Sequence, residues 1–246
     1  MPDSPWHLAP DRPTLTADQV HVWRCDLEQH STQLATWTRL LSPDESQRAA
    51  SFRSNPHRAR YIVARGFLRY LLGLYLQRDP AQIEFAYNPQ GKPELAPPAA
   101  PPLHFNLSHS HNLALYALTR DRLVGVDLEF IRPRVSIDQI ARRFLAPAEQ
   151  DALQAISPAD RTRAFFTCWT RKEAYLKARG EGIMRGLDRF AVSLQPNAPA
   201  LLSSPDDEPA EQARWRFADL QPGSGFLGAL CAEGQWQLRC YQWRAK

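Results

Sequence analysis

Leu41-Ser42-Pro43-Asp44-Glu45 is echoed by Leu145-Ala146-Pro147-Ala148-Glu149, and Arg58-Ala59-Arg60 by Arg161-Thr162-Arg163 at nearly the same offset. Each pair is followed by an apolar helical run. Two related halves are one account of the repeat; two helix starts of a common type are the other. The starts have a physical basis. Ser42 can cap first-turn amides, Pro43 fits the first turn without an N–H, and Glu45 can complete a capping box. Ser157-Pro158-Ala159-Asp160 follows nearly the same logic.

Working outward, helices are expected at about 43–54, 57–76, 136–143, 147–155 and 159–179. Strand-like stretches, alternating or rich in aromatic and branched residues, fall at 20–24, 83–87, 103–106, 113–119, 123–130, 190–194, 215–219, 225–232 and 236–243. Helices and strands come in groups, which favours an α+β fold with antiparallel sheets over strict βαβ alternation. The proline-dense 96–102 and the Pro-, Ser- and acid-rich 195–211 are expected to be loops. The seam fits near 119–122, dividing the chain into halves 1–120 and 121–246.

The 246 residues, 43% of them hydrophobic, suffice for one large core or two modest ones. The start lacks the basic-then-apolar build of a secretory signal, and no uncharged apolar run approaches the ~18 residues of a membrane span, so a cytoplasmic protein is expected. Cys25, Cys168, Cys231 and Cys240 are scattered without a C-x-x-C pair, which argues for reduced, packing thiols. A net charge of +4 and a pI near 9.0 favour anionic partners. Of 30 basic side chains only Lys92, Lys172, Lys177 and Lys246 are lysine. Either that is chance, or the internal lysines supply a compact point charge where arginine would supply a fork.

Leu123-Val124-Gly125-Val126-Asp127-Leu128-Glu129-Phe130 alternates with period two, putting Gly125, Asp127 and Glu129 on one face. Side-by-side carboxylates suit a hard divalent cation; an ordinary solvated face is the plainer account. In the helix Phe165-Phe166-Thr167-Cys168-Trp169-Thr170-Arg171-Lys172-Glu173-Ala174-Tyr175-Leu176-Lys177, Lys172 and Glu173 interrupt an apolar stripe. Glu173 then needs a shared metal or Lys177 one turn on, unless the two form a solvent-facing pair. Leu103-His104-Phe105-Asn106-Leu107-Ser108-His109-Ser110-His111 is a strand ending in groups able to donate to phosphate, and its alternate histidines match a zinc helix poorly. Between Glu45 and Asp79 stand arginines 48, 53, 58, 60, 65, 69 and 78 and no acid, as for an anionic ligand or, in the rival reading, nucleic acid.

These blocks resemble the 4′-phosphopantetheinyl transferase family, specifically the large monomeric type that activates nonribosomal peptide synthetases. Gln90-Gly91-Lys92-Pro93 with Phe105-Asn106-Leu107-Ser108-His109-Ser110, then Gly125-Val126-Asp127-Leu128-Glu129, then Trp169 to Lys177 match in order and spacing over roughly 41–194. The resemblance implies a pseudo-dimeric α+β fold, monomeric with an internal pseudo-twofold, holding coenzyme A between its halves. It implies Mg²⁺ on Asp127, Glu129 and Glu173, with Glu173 also the base for the incoming serine. By the same resemblance Lys177 lies on the pyrophosphate, Arg48 and Arg60 near the 3′-phosphate, Ser108 and His109 on phosphate, and Lys92 and Pro93 beside the adenine. Glu45 departs from the pattern, standing about where relatives often have a basic residue. The implied reaction moves phosphopantetheine onto a serine of an apo acyl or peptidyl carrier protein, as in fatty acid, polyketide or nonribosomal peptide synthesis, and releases 3′,5′-ADP. A Mg²⁺-dependent phosphohydrolase and a nucleic-acid-binding module are the rival classes.

Overall fold

One chain path is used twice in the computed structural model, which describes residues 6–96, 102–131, 137–181, 186–195, 198, 201–203 and 209–243. After the short β1 (His7–Leu8), the first half runs β2 (Gln19–Asp26), α1 (Leu34–Thr38), α2 (Pro43–Ser51), α3 (Asn55–Leu76), the small hairpin β3 (Phe85–Tyr87) and β4 (Pro93–Leu95), then β5 (Leu103–Ser110) and β6 (Leu113–Arg120). The second runs β7 (Val124–Phe130), α4 (Ile137–Phe144), α5 (Pro147–Ala155), α6 (Pro158–Arg179), β8 (Ala191–Val192), β9 (Leu201–Ser203), α7 (Pro209–Arg214), β10 (Trp215–Leu220) and β11 (Phe226–Glu233). A last strand, β12 (Gln237–Gln242), follows.

The equivalence is one of topology and length. In the first half the hairpin β5–β6 presents β6 antiparallel to β2; in the second, β10–β11 presents β11 antiparallel to β7. Helices α2 and α5 both have 9 residues, and α3 and α6 both have 22. The two accounts of the echoed segments are thereby decided in favour of related halves.

The echoed glutamates explain why the motif recurs. Glu45 Oε2 accepts from the Ser42 N–H at 3.0 Å and Glu149 Oε2 from the Ala146 N–H at 2.8 Å, so each closes the first turn of its helix. Ser42 stands at the N-cap with Glu45 completing the capping box, and its hydroxyl donates to Asp44 Oδ1 at 2.6 Å. Each glutamate is also buried and grips a cation of the following long helix. Glu45 accepts from Arg65 and Arg69, both at 2.6 Å, and Glu149 from Lys172 at 2.6 and 2.7 Å. Arg69 and Lys172 each donate onward to a carbonyl beyond the helix, Ile83 and Phe190 respectively. One charged knot per half thus fixes the angle between its short and long helices.

Three cores follow from the alternation of the strands. Trp23, Phe67, Leu71 and Tyr116 fill the first half, and Phe165, Tyr175, Phe217 and Cys231 the second. Between the sheets Val20, Val22 and Leu115 meet Val124, Val126, Leu128 and Leu230. All four cysteines are buried and free.

Two expectations need adjustment. The chain does not divide cleanly at 120/121, because β12 leaves the second half and pairs parallel to β2, in the sheet order β1-β12-β2-β6-β5. Inside the expected loop 195–211 lie β9 and the start of α7. Positions 97–101 of the other expected loop, most of 195–211, Ser136 and Lys246 lie outside the described residues. No described helix is long and apolar enough to cross a membrane.

Breaking the knot of the second half exposes its weight. Lys172→Met leaves Glu149 buried without its counter-charge and is expected to cost about 3–5 kcal/mol in urea denaturation, with Lys172→Met/Glu149→Gln recovering part of the loss.

Candidate active site

Helix α6 lies on β7 with almost nothing between them. A Cβ built on Gly125 would stand 2.1 Å from Ala174 O and 2.3 Å from Ala178 N, so only glycine permits this crossing. The face of β7 that carries Gly125 carries Asp127 and Glu129 two and four residues on, and Glu173 and Lys177 flank the contact on α6. The sequence placed Gly125 on that face without revealing its purpose.

Lys177 Nζ donates to Asp127 Oδ1 at 2.6 Å and to Ser108 Oγ at 3.1 Å, and the Ser108 hydroxyl donates to the same carboxylate oxygen at 2.9 Å. Ser110 Oγ donates to Glu129 Oε2 at 3.3 Å. Strand β5 therefore supplies the site's third wall, and it does so by side chains. Asn106 Oδ1 accepts from the Val126 N–H at 2.8 Å and Ser110 Oγ from the Phe130 N–H at 3.0 Å along the free edge of β7. The resemblance gives Asn106 and Ser110 no role of their own; the alternation of Asn106-Leu107-Ser108-His109-Ser110, which puts Asn106, Ser108 and Ser110 on one face, is the signal for them.

The carboxylates are poised for a cation. Glu173 is 4% exposed, and burial first, then the charges of Asp127 and Glu129 against the opposing Lys177, raise its pKa to about 7. Asp127 Oδ2 and Glu173 Oε1 are buried without a hydrogen-bond partner. Among the described residues no three His, Cys, Asp or Glu side chains close into a ready-made metal cage. A Mg²⁺ ion takes only one or two carboxylates plus phosphate oxygens, so the two orphaned oxygens fit it. The solvent-facing Glu173–Lys177 pair is excluded, since Glu173 is buried and Lys177 is turned to Asp127.

Cations gather at one side. His109 is exposed but ringed by protein, and burial, then Lys177 and Arg60, hold its imidazole below the usual range. Arg60 donates to Glu28 at 2.5 Å while its Nε is buried without a partner. Arg48 is exposed on α2, electrostatically near Tyr61.

Other expected site residues have different duties. Arg65 and Arg69 of the acid-free run are spent on buried Glu45, so that run is no free cationic stripe. Glu45 is part of the core knot, which is why a basic residue would not fit there. Lys92 Nζ donates to the carbonyls of Lys177 at 2.6 Å and Val124 at 3.4 Å, and Pro93 opens β4.

A model of the 4′-phosphopantetheinyl transferase superfamily matches residues 123–232, and one of the 4′-phosphopantetheinyl transferase N-terminal region matches 23–120, about the two halves. The chain is 39% identical to the 4′-phosphopantetheinyl transferase HetI of a Nostoc species over 240 residues, 97% of this chain and 98% of that one. It is 29% identical to the 4′-phosphopantetheinyl transferase Sfp of Bacillus subtilis over 78% of this chain and 82% of the other.

Two outcomes check the site. Gly125→Ala must lift α6 from β7, and a loss of several kcal/mol in thermal or urea unfolding is expected, since overpacking typically costs about 1–3 kcal/mol even where side chains can yield. Glu173 gives a signed pH effect. Its folded pKa of about 7 lies above the ordinary 4.5, so the unfolded chain releases its proton first and stability falls as pH rises from 4.5 to 7. Glu173→Gln should therefore be more stable than the parent at pH 8 by about 2–3 kcal/mol, converging with it near pH 4.5.

Proposed function

The chain belongs to the 4′-phosphopantetheinyl transferase superfamily and transfers the phosphopantetheine of coenzyme A to carrier proteins; from that premise we propose that the transfer runs at the crossing of α6 and β7. The observation that carries this reading is the pair of buried, unpartnered oxygens on Asp127 and Glu173 beside Lys177. Asp127 and Glu173, with Glu129 beside them, would hold Mg²⁺, which when bound would supply positive charge against the diphosphate.

The protein groups do the rest. Lys177 adds a fixed positive charge against the diphosphate, held by Ser108 on the other side. Arg60 and His109, with Arg48, take the 3′-phosphate end of coenzyme A, and the 88–93 turn borders the adenine. The serine oxygen of the apo acyl or peptidyl carrier attacks the β-phosphorus. A new P–O bond forms, the bond to the oxygen of 3′,5′-ADP breaks, and the serine proton passes to Glu173. Encounter with an acidic carrier is helped by the +4 net charge. The enzyme acts as a cytoplasmic monomer.

The test is incubation of coenzyme A, Mg²⁺ and a panel of apo-carriers with the enzyme, followed by intact-mass analysis. The parent should load at least one carrier, whereas Asp127→Ala and Glu173→Gln should fold and load none. Near-normal loading by either variant would remove the assignment.

A further inference from the structure

The internal lysines of this arginine-rich chain all meet at one helix: Lys172 and Lys177 belong to α6, and Lys92 reaches it from the other half. Lys92 sits in the turn between β3 and β4, which is built to hold still. Asn88 Oδ1 accepts from the N–H groups of Gln90 and Lys92 at 3.0 and 2.9 Å, and Gly91 takes the positive φ of 81° that closes the turn. From this base two arms cross the seam. Asn88 Nδ2 donates to Gly180 O at 3.0 Å, on the left-handed cap of α6, and Lys92 Nζ donates to Lys177 O and Val124 O.

Those two carbonyls belong to the elements that touch through Gly125. Val124 precedes it on β7, and Lys177 C is 2.9 Å from its absent Cβ. Lys177 O, in the last turn of α6, accepts from the Gly180 N–H at 3.2 Å and has a second lone pair for Lys92; carbonyls there carry partial negative charge, which favours an ammonium. A compact head with three N–H donors can serve acceptors on two different elements, whereas a planar fork is shaped for a bidentate partner. We infer that Lys92 is a positioning residue for the transfer: by tying the last turn of α6 to β7 it aims the Lys177 ammonium at Asp127 and Ser108. The inference rests on the site reading above and departs from it in one respect. It takes the Lys92 head group away from coenzyme A.

The test separates positioning from binding. For Lys92→Met in the full chain, kcat for carrier loading should fall by about 10- to 100-fold, as a misplacement of order 1 Å at the reacting group does. The Kd of 3′,5′-ADP, by calorimetry, should stay within about twofold of the parent. The Lys92→Met/Lys177→Met double variant should load no more slowly than Lys177→Met alone, because Lys92 acts through Lys177. A weakened Kd with unchanged kcat, or multiplying losses in the double variant, would overturn the inference. If Lys92→Met does not fold, Lys92→Arg, whose planar fork is shaped for a bidentate partner, must show the same kcat-only loss and the same non-additivity with Lys177→Met, or the inference fails. A parent enzyme that loads no carrier would instead count against the site reading.

Discussion

The approach of α6 to β7 at Gly125 is the constraint on which the site depends. Backbone on backbone, with carbonyl and amide of the helix at 2.1 and 2.3 Å from where a Cβ would be, it leaves no freedom in the depth of the helix. Glu173 and Lys177 are therefore set against Asp127 by main-chain contact, which does not relax as side-chain packing does. The charged knot of Glu149 and Lys172 then fixes the rotation of α6. Lys172 and Glu173 are adjacent in sequence and both buried, yet one is turned to α5 and the other to the acids of β7.

In the proposed site the duplicated frame is used for chemistry once. Aligning the interface pairs Val20 and Val22 with Val124 and Val126 puts Trp23 where the second half has Asp127, and the equal-length helices put Tyr70 where it has Glu173. Trp23 is fully buried, tilted against Tyr241 of β12. The strand that breaks the simple division of the halves thus fills the position that in the other half is polar. The first half has become a packed support, contributing the Ser108 wall and the Lys92 turn to its partner's cleft.

Much of this was legible in the sequence for identifiable reasons. Helix starts were visible because Pro43, Pro147 and Pro158 at N-terminal positions leave a local signature, and Asp127 and Glu129 because period two fixes their face. What was not legible is pairing at a distance. Nothing local distinguishes an arginine that meets a ligand from Arg65 and Arg69, which meet Glu45 some twenty residues away. The same holds for Lys92, whose partners are 85 and 32 residues distant, and for β12, whose strand character shows but whose partner does not. The direction of the Lys92 head group, onto the carbonyls of Val124 and Lys177, is a tertiary fact.

The two halves also hold opposed titrations. His21 is buried with Nδ1 at 2.7 Å from Tyr75 Oη and Nε2 at 3.0 Å from Gln19 Oε1; Tyr75 Oη accepts from Trp23 Nε1 at 2.8 Å, so its hydroxyl donates to Nδ1, Nε2 donates to Gln19, and the ring is neutral. Burial, then Arg239, pushes its pKa down to about 4. Its folded value lies below the unfolded 6.5, so the unfolded chain takes up the proton first and stability is lost as pH falls from 6.5 to 4. Glu173 loses stability in the other direction, as pH rises from 4.5 to 7. The windows overlap and the signs oppose, so each shift offsets the slope the other imposes on the whole fold. The compensation is confined to the acid side: between about pH 4.5 and 6.5 the two slopes oppose, whereas above pH 7 the Glu173 cost stands in full and His21 offsets none of it.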